Sequence, residues 1–456
     1  MSTMKYHIHT IGCQMNVADS LRLASELEKL GGESTDEIKE ADVAVLNTCV
    51  VRQSAEDRAS GWLHSVGHLK CSENPGLMIG LMGCLVGVKG NPKLARAFPQ
   101  VDVFLPPSDP SALLNRIADQ DQLQDERVAV ERRHATQDGD FILPLAQRGR
   151  MVSVHVPVVY GCSHACTFCV IPFRRGIERS RPVAEIASET HLLAAQGVKE
   201  VTLLGQIVDR YGWDVEGGLD LAHLLRVVHE TPGLERIRFL TSHPNYMSDE
   251  LLRTVSALPA ICEHIEVPVQ SGNNIVLQNM RRDYTVDQYR SLIGRIREYM
   301  PSGSISCDVI VGFPGESDAQ YQDTFDLLAE LKLDKVHIAK YSPRPGTISA
   351  RRMADDVPAE EKERRRAVLD DLQAEIVSDI NNRLLGERVQ VLVEDFHRGK
   401  WRGRTRTNKL VFFEDERDRT GELVDVEITW AGPWWLRGRL LDACVAKPPA
   451  VAATVG

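Results

Sequence analysis

The sequence predicts an α/β protein with three domains: an N-terminal parallel-sheet domain, a partial (β/α)6 barrel, and a small antiparallel β-barrel at the C-terminus. Short apolar runs alternate with amphipathic helical patterns in two successive blocks, which is typical of parallel sheets with helical crossovers. The last block is rich in Val, Trp, Phe and Thr with several glycines, as in antiparallel barrels. A length of 456 residues fits about three domains. We place the domains at 1–143, 148–385 and 386–448.

In the first domain, three apolar runs are predicted to be buried strands that form a parallel sheet. They lie at 5–10, 42–47 and 77–82, and helical patterns at 19–30 and 54–66 separate them. The polar stretch that follows has few apolar anchors, and we interpret it as a connection between domains. That stretch covers residues 119–140.

The second domain repeats the alternation over six β/α units, too few for a closed eight-unit barrel, so an open or partial barrel is predicted. A long helix is expected at 357–385, because Pro358 lies in its first turn and Gly386 follows its end. The barrel of the third domain is expected at 387–447. The candidate strands of the second domain are 153–159, 200–205, 236–241, 264–270, 304–312 and 335–342.

Composition indicates a globular enzyme, with 43% hydrophobic and 26% charged residues. No run of 18 or more apolar residues occurs, so we expect no membrane contact. The N-terminus lacks the charged start and apolar segment of a secretion signal, and we expect a cytoplasmic protein. A net charge of −10 argues weakly against nucleic acid, although one domain can carry such binding locally. Ten cysteines in this setting suggest metal or redox use rather than disulfides.

Three cysteines lie close together after the first predicted barrel strand. Cys162, Cys166 and Cys169 are spaced C-x3-C-x2-C in YGCSHACTFCVIP. A four-iron, four-sulfur cluster held by three thiolates keeps one iron open, which can bind S-adenosylmethionine and cleave it to an adenosyl radical. Phe168 is expected to shield the cluster from water. The alternative is a zinc site with a fourth ligand from His155 or His164, which would not require a surrounding barrel.

A second set of cysteines follows the predicted strands of the first domain. Cys13, Cys49 and Cys84 each come a few residues after a strand, and the carboxyl ends of parallel strands meet at one edge. The three thiols could hold a second cluster there, or they could be three independent buried residues. The remaining cysteines have no partner at ligand spacing and are interpreted as structural. These are Cys71, Cys262, Cys307 and Cys444.

The motifs GCQMN, LNTCVVRQSAED, GCSHACTFCVIPFRRGIERSRP, TSHP, VPVQSG, DVIVGFPGE and KYSPRPGT occur in this order over nearly the whole chain. Together they resemble the methylthiotransferases of the radical S-adenosylmethionine superfamily. The resemblance implies an auxiliary four-iron, four-sulfur cluster on Cys13, Cys49 and Cys84, and a radical-generating cluster on the barrel cysteines. It also implies that the C-terminal barrel is a TRAM domain, which binds RNA. An electron donor such as a flavodoxin or ferredoxin is implied, and we expect a monomer.

Three branches of the family compete as models for the substrate. The patterns FRRGIERSR and GRTRTNKLVFFE are most similar to the branch that acts on a prenylated adenosine next to the tRNA anticodon. The alternatives are a threonylcarbamoylated adenosine and an aspartate of a ribosomal protein. Where the prenyl-adenosine branch usually has GQNVNSYG, this chain has GQIVDRYG at 205–212, which replaces polar residues at Ile207, Asp209 and Arg210. A non-catalytic RNA-binding protein with structural zinc is a further alternative.

Several contacts are expected from motif position. Gly205 and Gln206 end the second barrel strand, where they would approach the methionine moiety, and His243 in TSHP ends the third or is structural. Four arginines after the cysteine loop could hold tRNA phosphates, stabilise an anionic cluster, or be ordinary surface residues; they are Arg174, Arg175, Arg179 and Arg181.

The segment HRGKWRGRTRTNK is a candidate RNA contact, because it carries six cations and no acid within an acidic protein. On a hairpin it would form a cationic ridge, with the ring of Trp401 available for base stacking. The alternative is a solvated hairpin face. The candidate phosphate contacts are Arg402, Arg404, Arg406 and Lys409.

Overall fold

The computed structural model describes residues 3–51, 53–118, 134, 137 and 141–441. The predicted connection at 119–140, the end of the third domain and Cys444 therefore lie almost entirely outside the described residues. The chain divides into two compact units, Met1–Gln373 and Ala374–Gly456. Within the described residues, no helix is long and apolar enough to span a membrane.

The first unit begins with a five-stranded parallel sheet, as predicted. Its order is β2-β1-β3-β4-β5, so the three predicted strands are central and two short strands extend the edges. The strands are β1 Lys5–Ile11, β2 Glu33–Ser34, β3 Val43–Thr48, β4 Met78–Gly83 and β5 Val103–Leu105. The helices are Gln14–Lys29, Gln53–Ser72, Pro92–Ala97 and Ser111–Ile117, with a 3-10 turn at Ile38–Glu40.

The first helix begins five residues before the predicted start at residue 19. Cys13 precedes the helix, and its backbone N–H donates to the side-chain oxygen of Asn16 at 3.4 Å. The backbone N–H of Asn16 in turn donates to the carbonyl of Cys13 at 2.9 Å. This local pairing satisfies backbone groups at the helix start, so the helix begins directly after Cys13.

The partial barrel follows, and its six predicted strands are all present. They form two parallel three-stranded sheets, β10-β9-β6 and β11-β12-β13. A bridge between Ile237 and Ile261 links β10 to the segment before β11. A short antiparallel pair, β7 with β8, frames the cysteine loop. The strands are β6 Ser153–Pro157, β7 Val159–Tyr160, β8 Arg179–Ser180, β9 Glu200–Leu204, β10 Arg236–Leu240, β11 His264–Glu266, β12 Ser304–Val311 and β13 Lys335–Lys340.

Strand β11 is shorter than the predicted 264–270. Pro268 has no backbone N–H to donate to a ladder, and strand pairing stops before it. The helices of this region are Ile171–Arg175, Val183–Ala195, Leu221–His229, Asp249–Ala257, Asn274–Asn279, Val286–Tyr299, Asp318–Leu331, Ile348–Arg352 and Ala359–Asn382, with 3-10 turns at Leu145–Gln147 and Val208–Arg210.

The second unit contains a closed five-stranded barrel. Four of its pairings are antiparallel, as predicted, but β16 and β18 pair in parallel. The difference arises because β18 returns from β17 into the gap beside β16, and this last pairing closes the barrel. The strands are β14 Arg388–His397, β15 Lys400–Thr405, β16 Leu410–Phe413, β17 Leu423–Ala431 and β18 Leu436–Leu440.

Candidate active site

The three cysteines of the N-terminal sheet lie at one edge, and the strand register explains why. Ile11, Thr48 and Gly83 end the neighbouring strands β1, β3 and β4 at the same level. Cys13 follows two residues after its strand, and Cys49 and Cys84 each follow directly. Burial, with smaller contributions from the nearby thiols of Cys84 and Cys13, raises the pKa of the Cys49 thiol to about 11. The structure therefore brings these three thiols together.

A hydrogen-bonded pair of asparagines supports this edge, and sequence reasoning missed it. The side-chain nitrogen of Asn16 donates to the side-chain oxygen of Asn47 at 2.9 Å and to the carbonyl of Thr48 at 3.0 Å. The side-chain nitrogen of Asn47 returns a bond to the Asn16 carbonyl at 2.9 Å. Both amides are fully buried. Both asparagines lie beside the cysteines in the motifs GCQMN and LNTC, and this position is the sequence feature that could have identified them.

Gly83 is required at its position. Its φ is +104°, and a Cβ atom there would lie 2.5 Å from the carbonyl oxygen of Thr48. A side chain at this site would push β3 and β4 apart at the point where Cys49 and Cys84 leave the sheet.

Arg175, from the region after the barrel cysteines, reaches this same edge. Its Nε donates to the Sγ of Cys84 at 3.2 Å. Its two other guanidinium nitrogens contact the Ser108 hydroxyl at 3.2 Å and the Asp19 carboxylate at 3.3 Å. The side chains of Arg175 and Asp19 are almost fully buried. Burial disfavours the charge of Arg175, but Cys84 and Asp19 outweigh that effect and raise the pKa of its guanidinium.

The other arginines of FRRGIERSR have different surroundings. Arg181 is fully buried and pairs with Glu189 at 2.6 Å, and Arg22 from the first helix pairs with the same carboxylate. Arg179 lies over the ring of Tyr160 at 5.1 Å. Surface placement and phosphate contact are therefore wrong for Arg175 and Arg181, because neither side chain reaches solvent.

The barrel cysteines also converge. Burial, with a smaller contribution from the Cys166 thiol, raises the pKa of the Cys162 thiol to about 11 and that of Cys169 to about 12. The backbone N–H of Cys169 donates to the carbonyl of Cys166 at 3.2 Å, which folds the loop tightly. A guanidinium again contacts a thiol, since Nη1 of Arg282 donates to the Sγ of Cys166 at 3.4 Å.

These cysteines line a cavity of about 170 Å³ at the carboxyl ends of the barrel strands. Of the predicted cofactor contacts, Phe168 and Gln206 lie on its wall, whereas Gly205 is not part of the lining. The Gly205 carbonyl instead accepts a bond from the Thr241 hydroxyl at 2.6 Å. The lining also includes His164, Ile207, Ser242, His243, Gln270, Arg282 and Asp308.

The segment GQIVDRYG at 205–212, which differs from the pattern GQNVNSYG, forms part of this cavity wall. Ile207 lines the cavity, and the buried carboxylate of Asp209 accepts the backbone N–H of His243 with both oxygens at 3.0 Å. Burial raises the pKa of Asp209 from 3.8 to about 8. Burial, with a smaller contribution from the charge of Arg282, lowers the pKa of His243 to about 2. His243 is therefore neutral at physiological pH.

A larger cavity of about 490 Å³ is lined by Cys169 of the barrel set and by Val51, which lies two residues after Cys49 of the N-terminal set. Val51 contributes from the N-terminal sheet, and its backbone N–H donates to the Cys49 Sγ at 3.4 Å. Cys169 contributes from the barrel loop. Most of the other lining is apolar and comes from Phe168, Val170, Ile171, Ile310, Ile338 and Ala339.

The cations of this larger cavity pair with groups of the protein, and the buried Nε of Arg344 has no hydrogen-bond partner among the described residues. Arg344 binds Gln53 at 3.2 Å and forms an ion pair with Glu56. Lys340 binds Glu363 at 2.7 Å, and Arg366 binds the same carboxylate at 2.5 Å. The cations at this cavity are thus neutralised by acids of the protein itself.

The predicted zinc alternative finds no support in the geometry. In the part of the chain that the structure describes, no three His, Cys, Asp or Glu side chains are arranged to hold one metal ion. His164 is engaged with the Tyr246 hydroxyl at 2.9 Å, and His155 is not part of the cavity lining.

In the C-terminal barrel, the cations of the predicted ridge face outward, but Trp401 does not. Strand β15 alternates, so Arg402 and Arg404 face outward while Trp401 points into the core with 6% of its surface exposed. The expectation that Trp401 stacks on bases is therefore wrong. Arg402 binds Asp395 at 2.5 Å and Arg404 binds Glu394 at 3.1 Å. Exposed rings lie elsewhere on the barrel, at Phe396, Trp430, Trp434 and Trp435.

Comparison with known families matches three segments of the chain. Residues 156–328 match the radical SAM superfamily, residues 5–106 match Uncharacterized protein family UPF0004, and residues 382–441 match the TRAM domain. A radical SAM domain implies S-adenosylmethionine and one four-iron, four-sulfur cluster, which confirms these two cofactors of the predicted set.

Solved structures with low sequence identity share the fold. A radical S-adenosylmethionine methyltransferase, TsrM, from Kitasatospora setae, solved with cobalamin and a [4Fe-4S] cluster, superposes with a TM-score of 0.56 at 15% identity over 88% of this chain and 81% of that one. The same enzyme with tryptophan substrate and a SAM analogue gives a TM-score of 0.52 at 15% identity over 74% and 73% of the two chains.

Full-length relatives are much more similar in sequence. The tRNA-2-methylthio-N(6)-dimethylallyladenosine synthase of Herpetosiphon aurantiacus is 45% identical over 98% of this chain and 99% of its own length. The enzyme of the same name from Roseiflexus sp. is 47% identical over 96% of this chain and 89% of its own. This chain therefore belongs to the family of tRNA-2-methylthio-N(6)-dimethylallyladenosine synthases.

Proposed function

We propose that the protein inserts a methylthio group at C2 of N6-dimethylallyladenosine next to the tRNA anticodon. The observation that carries this proposal is the 490 Å³ cavity, because it is lined by Cys169 and by Val51, whose backbone N–H contacts the Cys49 sulfur, and because its lining is largely apolar. A base in that cavity would be near the radical source and near the sulfur source together. The volume is in the usual range of small-molecule sites, about 300–1,000 Å³.

Cys162, Cys166 and Cys169 would hold the cluster that binds S-adenosylmethionine. The donor chemistry fits, since three thiols converge on one cavity and an Arg282 N–H is directed at the sulfur of Cys166. When bound, that cluster supplies the electron that cleaves the sulfonium bond to an adenosyl radical. Phe168 and Gln206 would contact the cofactor, and Gly205 would position the adjoining loop through its bond from Thr241.

Cys13, Cys49 and Cys84 would hold a second four-iron, four-sulfur cluster, which supplies the sulfur when bound. The fit rests on three thiols at one sheet edge and on the Arg175 N–H directed at Cys84. A cluster with three thiolates is anionic, and a buried guanidinium in contact with a ligand sulfur offsets part of that charge. Arg175 would therefore stabilise the loaded site.

The lining of the larger cavity favours a dimethylallyl group over the alternatives. A threonylcarbamoyl group and an aspartate side chain both carry a carboxylate, which requires an unsatisfied cation or donor when buried. Arg344, Lys340 and Arg366 each pair with an acid of the protein, which compensates most of the positive charge there, and the buried Nε of Arg344 is left as a donor without a hydrogen-bond partner in the described part of the chain. Ile310, Ile338 and Ala339 offer an apolar surface that suits a prenyl chain.

The C-terminal barrel would bind tRNA through its outward-facing cations. Arg402, Arg404, Arg406 and Lys409 are the proposed phosphate contacts, and exposed ion pairs of Arg402 and Arg404 cost little to exchange for phosphate. Stacking in this unit would use the exposed rings of Trp430, Trp434 and Trp435 in place of Trp401.

We further propose a monomeric enzyme in the cytoplasm, where its tRNA substrate lies, reduced by a flavodoxin or ferredoxin. The three-domain division at 1–143, 148–385 and 386–448 stays a proposal, and the family matches at 5–106, 156–328 and 382–441 support it.

The test uses the full chain, reconstituted with iron and sulfide and reduced under anaerobic conditions. Stem-loop RNAs carrying dimethylallyladenosine or threonylcarbamoyladenosine, and ribosomal protein, are offered in parallel, and mass spectrometry detects 5′-deoxyadenosine and methylthio products. We expect methylthiolation of the prenylated RNA alone. Product on either alternative substrate in its place would contradict the proposal.

Three variants separate the two clusters. We expect Cys13→Ala to lower the iron content from about eight to about four per chain while 5′-deoxyadenosine still forms. Cys166→Ala should abolish 5′-deoxyadenosine. Cys71→Ala is the matched control, since Cys71 is exposed at the end of the second helix, and it should retain full iron content. Retention of about eight irons in Cys13→Ala would exclude the second cluster site.

A further inference from the structure

Trp213 is a large exposed ring near the barrel cavity. It follows the 3-10 turn Val208–Arg210 of the segment GQIVDRYG, and 61% of its surface is exposed. A single exposed tryptophan has no stabilising role in a core, because its indole remains in contact with water.

Two neighbours hold Trp213 in a defined orientation. The guanidinium carbon of Arg210 lies 5.0 Å from the centre of the Trp213 ring and 4.8 Å from that of Tyr246. The rings of Trp213 and Tyr246 meet edge to face, with centroids 4.9 Å apart. The indole is therefore in contact with Arg210 and Tyr246, while most of its surface is left open to solvent.

Arg210 is itself fixed. Its Nε lies 3.0 Å from both carboxylate oxygens of Glu178, whose side chain is 2% exposed. The charge of the cation that orients Trp213 is thus compensated within the protein by Glu178.

Ring contacts connect Trp213 to the wall of the smaller cavity. The Tyr246 hydroxyl is 2.9 Å from Nε2 of His164, and the rings of His164 and His243 are 4.9 Å apart. His164 and His243 both line the cavity of the barrel cysteines. Trp213 is therefore linked through two side chains to the smaller cavity, which adjoins the larger cavity proposed for the target base because both are lined by Phe168, Cys169 and Ile171.

We propose that Trp213 stacks on an unpaired base of the tRNA anticodon loop that flanks the target adenosine. This inference rests on the proposed function. To reach a cavity inside the barrel, the target base must leave the loop, and its neighbours are then presented at the surface unstacked. An open indole held by a fixed cation offers such a neighbour a flat surface without base-specific hydrogen bonds.

The test combines a protein change with an RNA change. The full-length reconstituted enzyme acts on stem-loop RNAs that carry dimethylallyladenosine and an abasic site at one flanking loop position at a time. Trp213→Ala should raise KM for the intact RNA about tenfold, as expected for loss of one stacked base, with kcat close to that of the wild type. Trp213→Phe keeps a ring and should stay near the wild-type KM. Ile275→Ala is the control, because Ile275 is also an exposed apolar residue.

At one flanking position, the abasic site should weaken binding by the wild type about tenfold and have no further effect on Trp213→Ala. Equal losses in both proteins at every position would overturn the stacking. So would a loss of RNA-free 5′-deoxyadenosine formation in Trp213→Ala, which indicates a structural role. A wild type that leaves the intact RNA unmodified would instead refute the proposed function itself.

Discussion

The Nε atom of Arg175 lies 3.2 Å from the Sγ atom of Cys84, although 91 residues separate them in the chain. Arg175 follows the cysteine loop of the barrel, and Cys84 directly follows a strand of the N-terminal sheet. The same guanidinium binds the buried carboxylate of Asp19. One side chain thus connects the segment after one set of cysteines to a thiol of the other set.

Arg175→Met should destabilise the protein and the N-terminal site together. The change leaves the Asp19 carboxylate buried without its cation, and breaking such a pair costs about 3–5 kcal/mol. We expect a lower melting temperature and preferential loss of iron from the N-terminal cysteines, measured by calorimetry and iron analysis. Arg174→Met is the neighbouring control. Full iron content with normal stability in Arg175→Met would show that the contact is dispensable.

Asp209→Asn should remove a loss of protein stability that grows as the pH rises. Burial raises the Asp209 pKa from 3.8 to about 8, so the folded state favours the protonated carboxyl despite the nearby Arg210 and Arg282. The contribution of Asp209 to stability is therefore complete below pH 3.8 and is lost as the pH rises through about 8. Asparagine still accepts the His243 N–H and carries no charge.

The melting temperature of Asp209→Asn should therefore exceed that of the wild type by a margin that grows with pH. Differential scanning fluorimetry from mildly acidic to mildly alkaline buffer measures this margin. A margin that is constant with pH, or that shrinks as the pH rises, would contradict a protonated Asp209.

Gly83→Ala should distort the edge that carries the N-terminal cysteines. The positive φ costs a non-glycine residue about 1–3 kcal/mol, and the added methyl also meets the Thr48 carbonyl. Gly61→Ala is the matched control, because it lies within the helix Gln53–Ser72 with open space around its Cβ position. That control should gain about 0.5–1 kcal/mol. Chemical denaturation measures the free energy of unfolding of both variants. Equal values for Gly83→Ala and Gly61→Ala would contradict the strain at Gly83.

Ile338→Gln should weaken recognition of the prenyl group. Ile338 lines the larger cavity, and an amide there faces an apolar chain that offers no hydrogen bond. We expect kcat/KM for prenylated RNA to fall about tenfold or more, with RNA-free S-adenosylmethionine cleavage intact. Ile275→Gln, at an exposed helix position, should behave as wild type. An unchanged preference for prenylated over unmodified adenosine would place the prenyl chain elsewhere.

Much of the fold was accessible from local patterns. The three central strands of the N-terminal sheet and all six barrel strands were predicted within a few residues, because buried parallel strands appear as short apolar runs. Strand β11 ends before Pro268, earlier than predicted, and the first helix begins directly after Cys13, also earlier than predicted. Both errors come from backbone hydrogen bonding, which apolar periodicity does not report.

The error at Trp401 was avoidable. Strand β15 has period two, so any register that turns Arg402 and Arg404 outward must turn Trp401 inward. Residue type alone suggested a stacking ring, while position in the strand required a core residue. The exposed tryptophans at 430, 434 and 435 lie in a later strand and turn, outside the charged segment 397–409.

Sequence alone determined the chemistry available to this protein, because cysteine spacing after a strand specifies a three-thiol loop wherever that strand lies. It also determined the strands whose ends carry the second set of thiols. Only the tertiary structure decided that Ile11, Thr48 and Gly83 end in register, that Arg175 contacts Cys84, and that Cys169 and Val51 line one largely apolar cavity. These relationships join residues far apart in the chain, so no local pattern encodes the distances between them.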